Sequence, residues 1–110
     1  MGSFVKGDVV VALFPFSDLS AMKKRPALVV ATLTGEDVIL CQITSRTVAD
    51  SYAIPLTDDD FITGGLRQAS NIRPNRLFTA ESSIILYRAG TISSTKIQET
   101  LARLIQLLSV

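Results

Sequence analysis

The sequence predicts a mainly β domain closed by a single C-terminal helix. Three observations carry that expectation: short β-branched and apolar runs recur between turn residues along most of the chain, the apolar spacing switches to a helical one near the C-terminus, and no linker, repeat or low-complexity tract interrupts the pattern. At 110 residues, 47% hydrophobic and 19% charged, the chain is expected to form one domain spanning residues 1–110 around a substantial core.

The run Val9-Val10-Val11-Ala12-Leu13-Phe14 follows Gly7-Asp8, is stopped by Pro15, and reads as a buried strand. From Pro15 to Lys24 the chain carries Pro, Asp and two Ser, and reads as a loop too long for a tight hairpin. Pro26 to Thr32 is the second strand, with proline tolerated at its first residue, and Gly35-Glu36 turns the chain into a third strand from Asp37 to Thr44. A weaker strand, Ser51 to Leu56, ends at the acidic turn Asp58-Asp59-Asp60, and Gly64-Gly65 breaks the chain again. Short strands are expected at Ser70–Ile72, Arg76–Thr79 and Ile84–Tyr87. Ile97, Leu101, Leu104, Ile105 and Leu108 then form one apolar stripe of an amphipathic helix, with Ser93 and Ser94 as candidate N-caps and Thr95 with Gln98 at capping-box spacing. Many short strands followed by one helix suggest a small curled sheet or SH3-like barrel with a helix packed on it.

Composition removes several chemistries. There is no histidine, which excludes Ser-His and Cys-His nucleophiles and the commonest metal ligand. The single cysteine, Cys41, cannot form an internal disulfide and sits in the apolar run Val38-Ile39-Leu40-Cys41, where a buried inert thiol is expected; a zinc site has too few ligands. Phosphate-loop, dinucleotide-binding and nucleophile-elbow motifs are missing, and the three aspartates lack the alternate spacing of a calcium loop, so no cofactor or metal is expected. No apolar run approaches the length of a membrane span, and a cytoplasmic location is expected.

The net charge is +1, but its distribution is uneven. Lys23, Lys24 and Arg25 lie in an acid-free stretch from Leu19 to Gly35, and Arg67, Arg73 and Arg76 in another from Phe61 to Ala80. Charge alone favours ordinary solvated surface, with Arg73 and Arg76 flanking Pro74 on a loop or irregular edge. The pairing of Lys23-Lys24-Arg25-Pro26 with Thr44-Ser45-Arg46 is more specific. If the second and third strands form a hairpin about Gly35, Arg25 lies ten residues before that turn and Thr44 nine after it, so the two are near-opposite at its open end. A guanidinium fork beside a hydroxyl suits two oxygens of one phosphate. Read singly, Arg25 is equally a surface arginine and Thr44 a strand residue of high propensity. Phe16 and Phe61 stand near the basic segments, as base-stacking candidates or as core.

At this point the residues resemble a known family. Lys6-Gly7-Asp8-Val9-Val10, Phe14-Pro15-Phe16-Ser17-Asp18-Leu19-Ser20, Lys24-Arg25-Pro26-Ala27-Leu28-Val29-Val30, Ile39-Leu40-Cys41-Gln42-Ile43-Thr44-Ser45, Gly65-Leu66 with Ser70-Asn71-Ile72-Arg73, and Gly90-Thr91-Ile92-Ser93 resemble the MazF/PemK-like toxins in order and spacing. The resemblance spans essentially the whole chain. It implies a homodimer of SH3-like barrels that cleaves single-stranded RNA at specific sequences without metal and is neutralised by a small antitoxin. Arg25 matches the family's Arg-Pro arginine and Thr44 its Thr or Ser after the third strand, both placed at the scissile phosphate, where the adjacent 2′-hydroxyl attacks and leaves a cyclic phosphate and a 5′-hydroxyl. The RNA-binding set implied with them is Ser17, Asp18, Lys23, Lys24, Ser45, Arg46, Ser70, Arg73 and Arg76. The sequence departs from some members in having no first-loop histidine and in reading Arg73-Pro74-Asn75 where they carry Arg-x-Asp. A guanidinium is a poor base, so Arg25 is assigned to charge stabilisation at phosphorus and Asp18 is the candidate base. Those departures motivate one alternative, a catalytically degenerate module of the same fold that holds RNA or a peptide such as the antitoxin; another is a protein-interaction domain whose main partner is its antitoxin.

Overall fold

The computed structural model describes residues 3–15 and 22–110. Seven strands and one helix account for most of them: β1 (Asp8–Pro15), β2 (Met22–Thr32), β3 (Asp37–Thr44), β4 (Ile54–Leu56), β5 (Phe61–Gly64), β6 (Ser70–Glu81), β7 (Ile85–Ile92) and α1 (Ser94–Leu108), with single 3₁₀ turns at Asp58–Asp60 and Ser82–Ile84. All strands join one antiparallel sheet in the order β4-β6-β3-β2-β1-β7-β5.

The connectivity forces this sheet to curl. β5 and β6 stand five strand positions apart, roughly 24 Å in a flat sheet. The six steps from Gly64 to Ser70 reach at most about 21 Å. The edges therefore approach each other, and the result is a half-barrel carrying α1. Gly64 helps to close it: its φ of 69° lies in the left-handed region, and a β-carbon there would collide with the backbone carbonyl of Ala89 in β7.

Both faces of the central strands are buried, which is why β1 reads as an unbroken apolar run rather than an alternating one. Inside the curl, Val9, Leu28, Cys41, Ile43, Ile54, Leu56, Ile72 and Ile92 pack with Leu104 of the helix. On the other face Val10, Ala27, Val29, Val38 and Leu40 are covered by Phe4, Phe14, Phe78, Ala80 and Ile85, with the Phe14 and Phe78 rings edge to face at 5.0 Å.

Several elements depart from the expected boundaries. β2 begins at Met22, so Lys23 and Lys24 are strand residues rather than loop, paired across to Phe14 and Leu13. The two short strands expected at Ser70–Ile72 and Arg76–Thr79 are one, β6, whose register with β3 jumps from Gln42↔Arg73 to Cys41↔Leu77. Pro74, Asn75 and Arg76 form the intervening bulge, where a residue without an N–H breaks no ladder bond. The turn expected at Gly64 is the last residue of a strand, β5, that the sequence reading omitted. Helix α1 is capped by Ser93, whose hydroxyl accepts the Lys96 N–H at 3.3 Å, so the Thr95–Gln98 spacing is not the capping box. Its inner face is Ile97, Thr100, Leu101 and Leu104, whereas Ile105 and Leu108 stay 66% and 71% exposed.

Candidate functional site

The hairpin of β2 and β3 is the frame of the candidate site. Near the turn its register is Thr32↔Val38 and Ala31↔Ile39; Val30 then bulges, and the register continues as Val29↔Leu40, Leu28↔Cys41 and Ala27↔Gln42. That bulge absorbs the one-residue mismatch in the sequence count, and the same register continued by two residues sets Arg25 opposite Thr44. The ladder stops at Ala27 because Pro26 has no N–H to offer β3, while on its other edge β3 stays paired with β6 through Ile43↔Ile72 and Thr44↔Asn71.

A cleft of about 340 Å³ opens where the ladder ends, lined by Lys24, Arg25, Pro26, Ile43, Thr44, Ser45, Arg46, Leu66, Arg67, Gln68 and Ser70. Among the described residues four cations and no acidic residue lie in that lining, a local concentration of positive charge in a chain that is nearly neutral overall. Thr44 is buried, and its Oγ1 accepts the Arg46 N–H at 3.1 Å. A hydroxyl that accepts from one side keeps its own proton to donate on another. The Asn71 side chain donates to the Arg46 carbonyl at 3.4 Å, holding the turn that carries Ser45 and Arg46.

The structure thus brings Arg25, Thr44, Lys24, Ser45, Arg46 and Ser70 together. Ser70 is buried in the cleft wall, and its hydroxyl donates to the Gln68 carbonyl at 3.0 Å, shaping the neighbouring loop. Lys23 and Arg76 are both exposed, Arg76 within the bulge of β6; neither lines the cleft. Arg73 does not line it either, because Nη2 is 3.1 Å from Oδ2 of Asp50; among the described residues its buried Nε has no partner. Phe61 packs against the core rather than offering a stacking face. Ser17, Asp18 and Phe16 lie outside the described residues.

Leu66, Arg67 and Gln68, from the segment between β5 and β6, are cleft residues outside the expected set. The acid-free stretch containing Arg67 was a signal, but local sequence reads Gly64-Gly65 only as a turn. What brings these residues to the β2–β3 opening is the short crossing from β5 to β6 over the end of the curled sheet.

Other polar groups hold the fold. Asp8 is buried, accepts the Val5 N–H at 2.9 Å and the Thr91 hydroxyl at 3.2 Å, and is paired with Arg88 Nε at 3.0 Å. Lys96 Nζ donates to the Pro55 carbonyl at 2.9 Å and stands 3.0 Å from Glu99, tying the start of α1 to β4. Cys41 is the inert thiol expected: burial pushes its pKa up to about 12. Among the described residues no group of acids and cysteine could hold a metal ion, and no helix is long and apolar enough to cross a membrane.

Comparison with known proteins converges on one family. The sequence matches the PemK-like, MazF-like toxins of type II toxin–antitoxin systems over residues 5–108. The fold is similar to MazF of Deinococcus radiodurans, at 17% identity, 100% coverage of both chains and a TM-score of 0.78. It is also similar to a chain of the MazE–MazF complex of that organism, at 16% identity, 100% and 99% coverage and 0.79. A mycobacterial endoribonuclease in complex with its cognate antitoxin follows at 15% identity, 98% and 97% coverage and 0.74. No curated protein matches the sequence. Structural likeness at such identities speaks for the fold, and it agrees with the curled sheet and terminal helix derived above; the sequence match over nearly the whole chain speaks for descent. This chain belongs to the PemK-like, MazF-like toxin family of type II toxin–antitoxin systems.

Proposed function

We propose that the protein is an endoribonuclease toxin that cuts single-stranded RNA without metal, with the scissile phosphate seated in the cleft between Arg25 and Thr44. The observation that carries this reading is the convergence of Lys24, Arg25, Arg46 and Arg67 with the Thr44 hydroxyl on one cleft. A phosphodiester brings the negative charge that such a surface attracts. In the step envisaged, the 2′-hydroxyl preceding the scissile bond loses its proton and attacks phosphorus. The bond to the 5′-oxygen breaks, giving a cyclic phosphate and a 5′-hydroxyl, and the leaving oxygen takes up a proton. Arg25 and the Thr44 hydroxyl donate to the non-bridging oxygens, where charge accumulates in the transition state. The substrate supplies the nucleophile, so a protein without histidine needs chiefly to position it and to stabilise charge. Sequence specificity, homodimerisation, neutralisation by an antitoxin that covers the cleft and a cytoplasmic location complete this reading.

The test is incubation of the protein with a long RNA in the presence of EDTA, with the fragment ends mapped. Discrete cuts in unpaired regions bearing 5′-hydroxyl ends, lost in Arg25→Ala, are the expected result. Intact RNA for a folded protein would overturn it. A second reading, a module that binds RNA without cutting it, has one observation in its favour: among the described residues the cleft lining contains no carboxylate to act as base. It predicts salt-dependent RNA binding with no product.

A further inference from the structure

The segment from Ser45 to Ala53 has no regular secondary structure, yet it delivers Ser45 and Arg46 to the cleft. Four donors grip it through one side chain. Asp50 Oδ1 accepts the N–H groups of Tyr52 at 3.0 Å and Ala53 at 3.2 Å, an Asx-type turn that shapes the segment from within. Asp50 Oδ2 accepts Arg73 Nη2 at 3.1 Å and the Asn75 amide at 3.4 Å, and both donors come from the irregular stretch of β6. Arg103 of α1 adds bonds from Nη1 to the carbonyls of Ser51 at 2.9 Å and Tyr52 at 3.1 Å. The bulge at Pro74-Asn75-Arg76 thereby acquires a purpose: it leaves Arg73 and Asn75 aimed at one carboxylate instead of at β3.

We propose that Asp50 is a positioning residue of the cleft, whose carboxylate clamps the 45–53 segment to the β6 bulge and so holds the Arg46 guanidinium where it meets an RNA phosphate. This rests on the ribonuclease reading for its ligand, but the clamp itself does not depend on catalysis. Arg73 then contributes through Asp50 and not by touching RNA. The Thr44–Arg46 bond lies in the turn at the strand end, ahead of the clamp, so the reacting phosphate keeps its hydroxyl donor when the clamp is opened.

The experiment compares Asp50→Ala, Arg46→Ala and the double variant for KM and kcat on a cleavable RNA, or for RNA affinity if the protein binds without cutting. Amide hydrogen exchange over residues 45–53 is read in parallel. Asp50→Ala is expected to raise KM about tenfold, the worth of one charge-assisted hydrogen bond, with kcat within about twofold. The double variant should be no worse than Arg46→Ala alone, because the clamp acts through that side chain. Asp50→Asn, which keeps an acceptor oxygen for Tyr52 and Ala53, should recover part of the loss. Effects of Asp50→Ala and Arg46→Ala that simply add would overturn the proposal, as would a fall in kcat at unchanged KM. Exchange distinguishes a failed clamp from a failed ribonuclease reading. Faster exchange at Tyr52 and Ala53 in Asp50→Ala supports the clamp even in a protein indifferent to RNA, and unchanged exchange refutes it in a protein that cuts.

Discussion

Two ends of the sheet treat charge in opposite ways. Beside the chain start, Asp8 is buried and engages Val5, Thr91 and Arg88 within 3.2 Å, while Arg88 also donates to the Ser3 carbonyl at 2.8 Å and lies 5.5 Å from the Phe4 ring centre. At the open end of the β2–β3 hairpin, four cations and, among the described residues, no acid line a cleft. The first arrangement is internally neutral and ties strands together. The second gathers four cations at one opening of the surface. A near-neutral total of +1 conceals both, so net charge says little about partners where the distribution says much.

The sharpest way to break this contrast is to remove one charge from each end. Arg25→Ala should lower the cleavage rate about 10²–10³-fold, the scale of losing one preorganised donor, with little change in unfolding midpoint. A large loss of stability instead would move Arg25 to the structural side. Asp8→Ala should do the reverse. It strands the Val5 N–H and the Thr91 hydroxyl and leaves the half-exposed Arg88 to be hydrated, at a cost of about 2 kcal/mol in denaturant unfolding, with activity per folded molecule retained. Thr44→Val keeps the shape of the buried residue but removes its proton, and should cost about tenfold in kcat. An unchanged kcat would leave the hydroxyl no role beyond accepting the Arg46 N–H.

The smallest effect belongs to Asp50. Partial removal from water pushes its pKa up, but the N–H groups of Tyr52 and Ala53 and the Arg73 guanidinium outweigh this and hold the carboxylate below its ordinary value. A depressed folded pKa means that the stabilisation is complete above the unfolded value of about 3.9 and fades as pH falls through the lower folded one. The stability difference between the protein and Asp50→Asn should therefore be flat from pH 8 to 5 and shrink only below about pH 4. A difference that changes between pH 6 and 8 would point to another titrating group.

Much of this was legible in the chain. The β1 and β3 runs, the Gly35-Glu36 turn and the helix from Ser94 follow from local pattern, because apolar spacing and turn chemistry act over a few residues. The hairpin count that put Arg25 near Thr44 also needed only local symmetry. What failed depended on distant partners. Met22–Lys24 is strand because β1 offers a ladder to it. β6 is one strand despite Pro74 because β3 tolerates a bulge opposite. Arg73 is not in the cleft because Asp50, 23 residues earlier in the sequence, takes its charge.

The sequence by itself therefore determined the kind of protein: a curled β sheet with one helix, no histidine, and an arginine and a threonine at the open end of one hairpin. Tertiary structure alone decided which cations share the cleft. Arg67 reaches it because a short crossing must bridge the edges of a curled sheet, and Arg73 is withheld because a carboxylate arrives first. Backbone pattern is written in neighbours along the chain, whereas the balance of charge at a surface is set by residues that meet only after the sheet has closed.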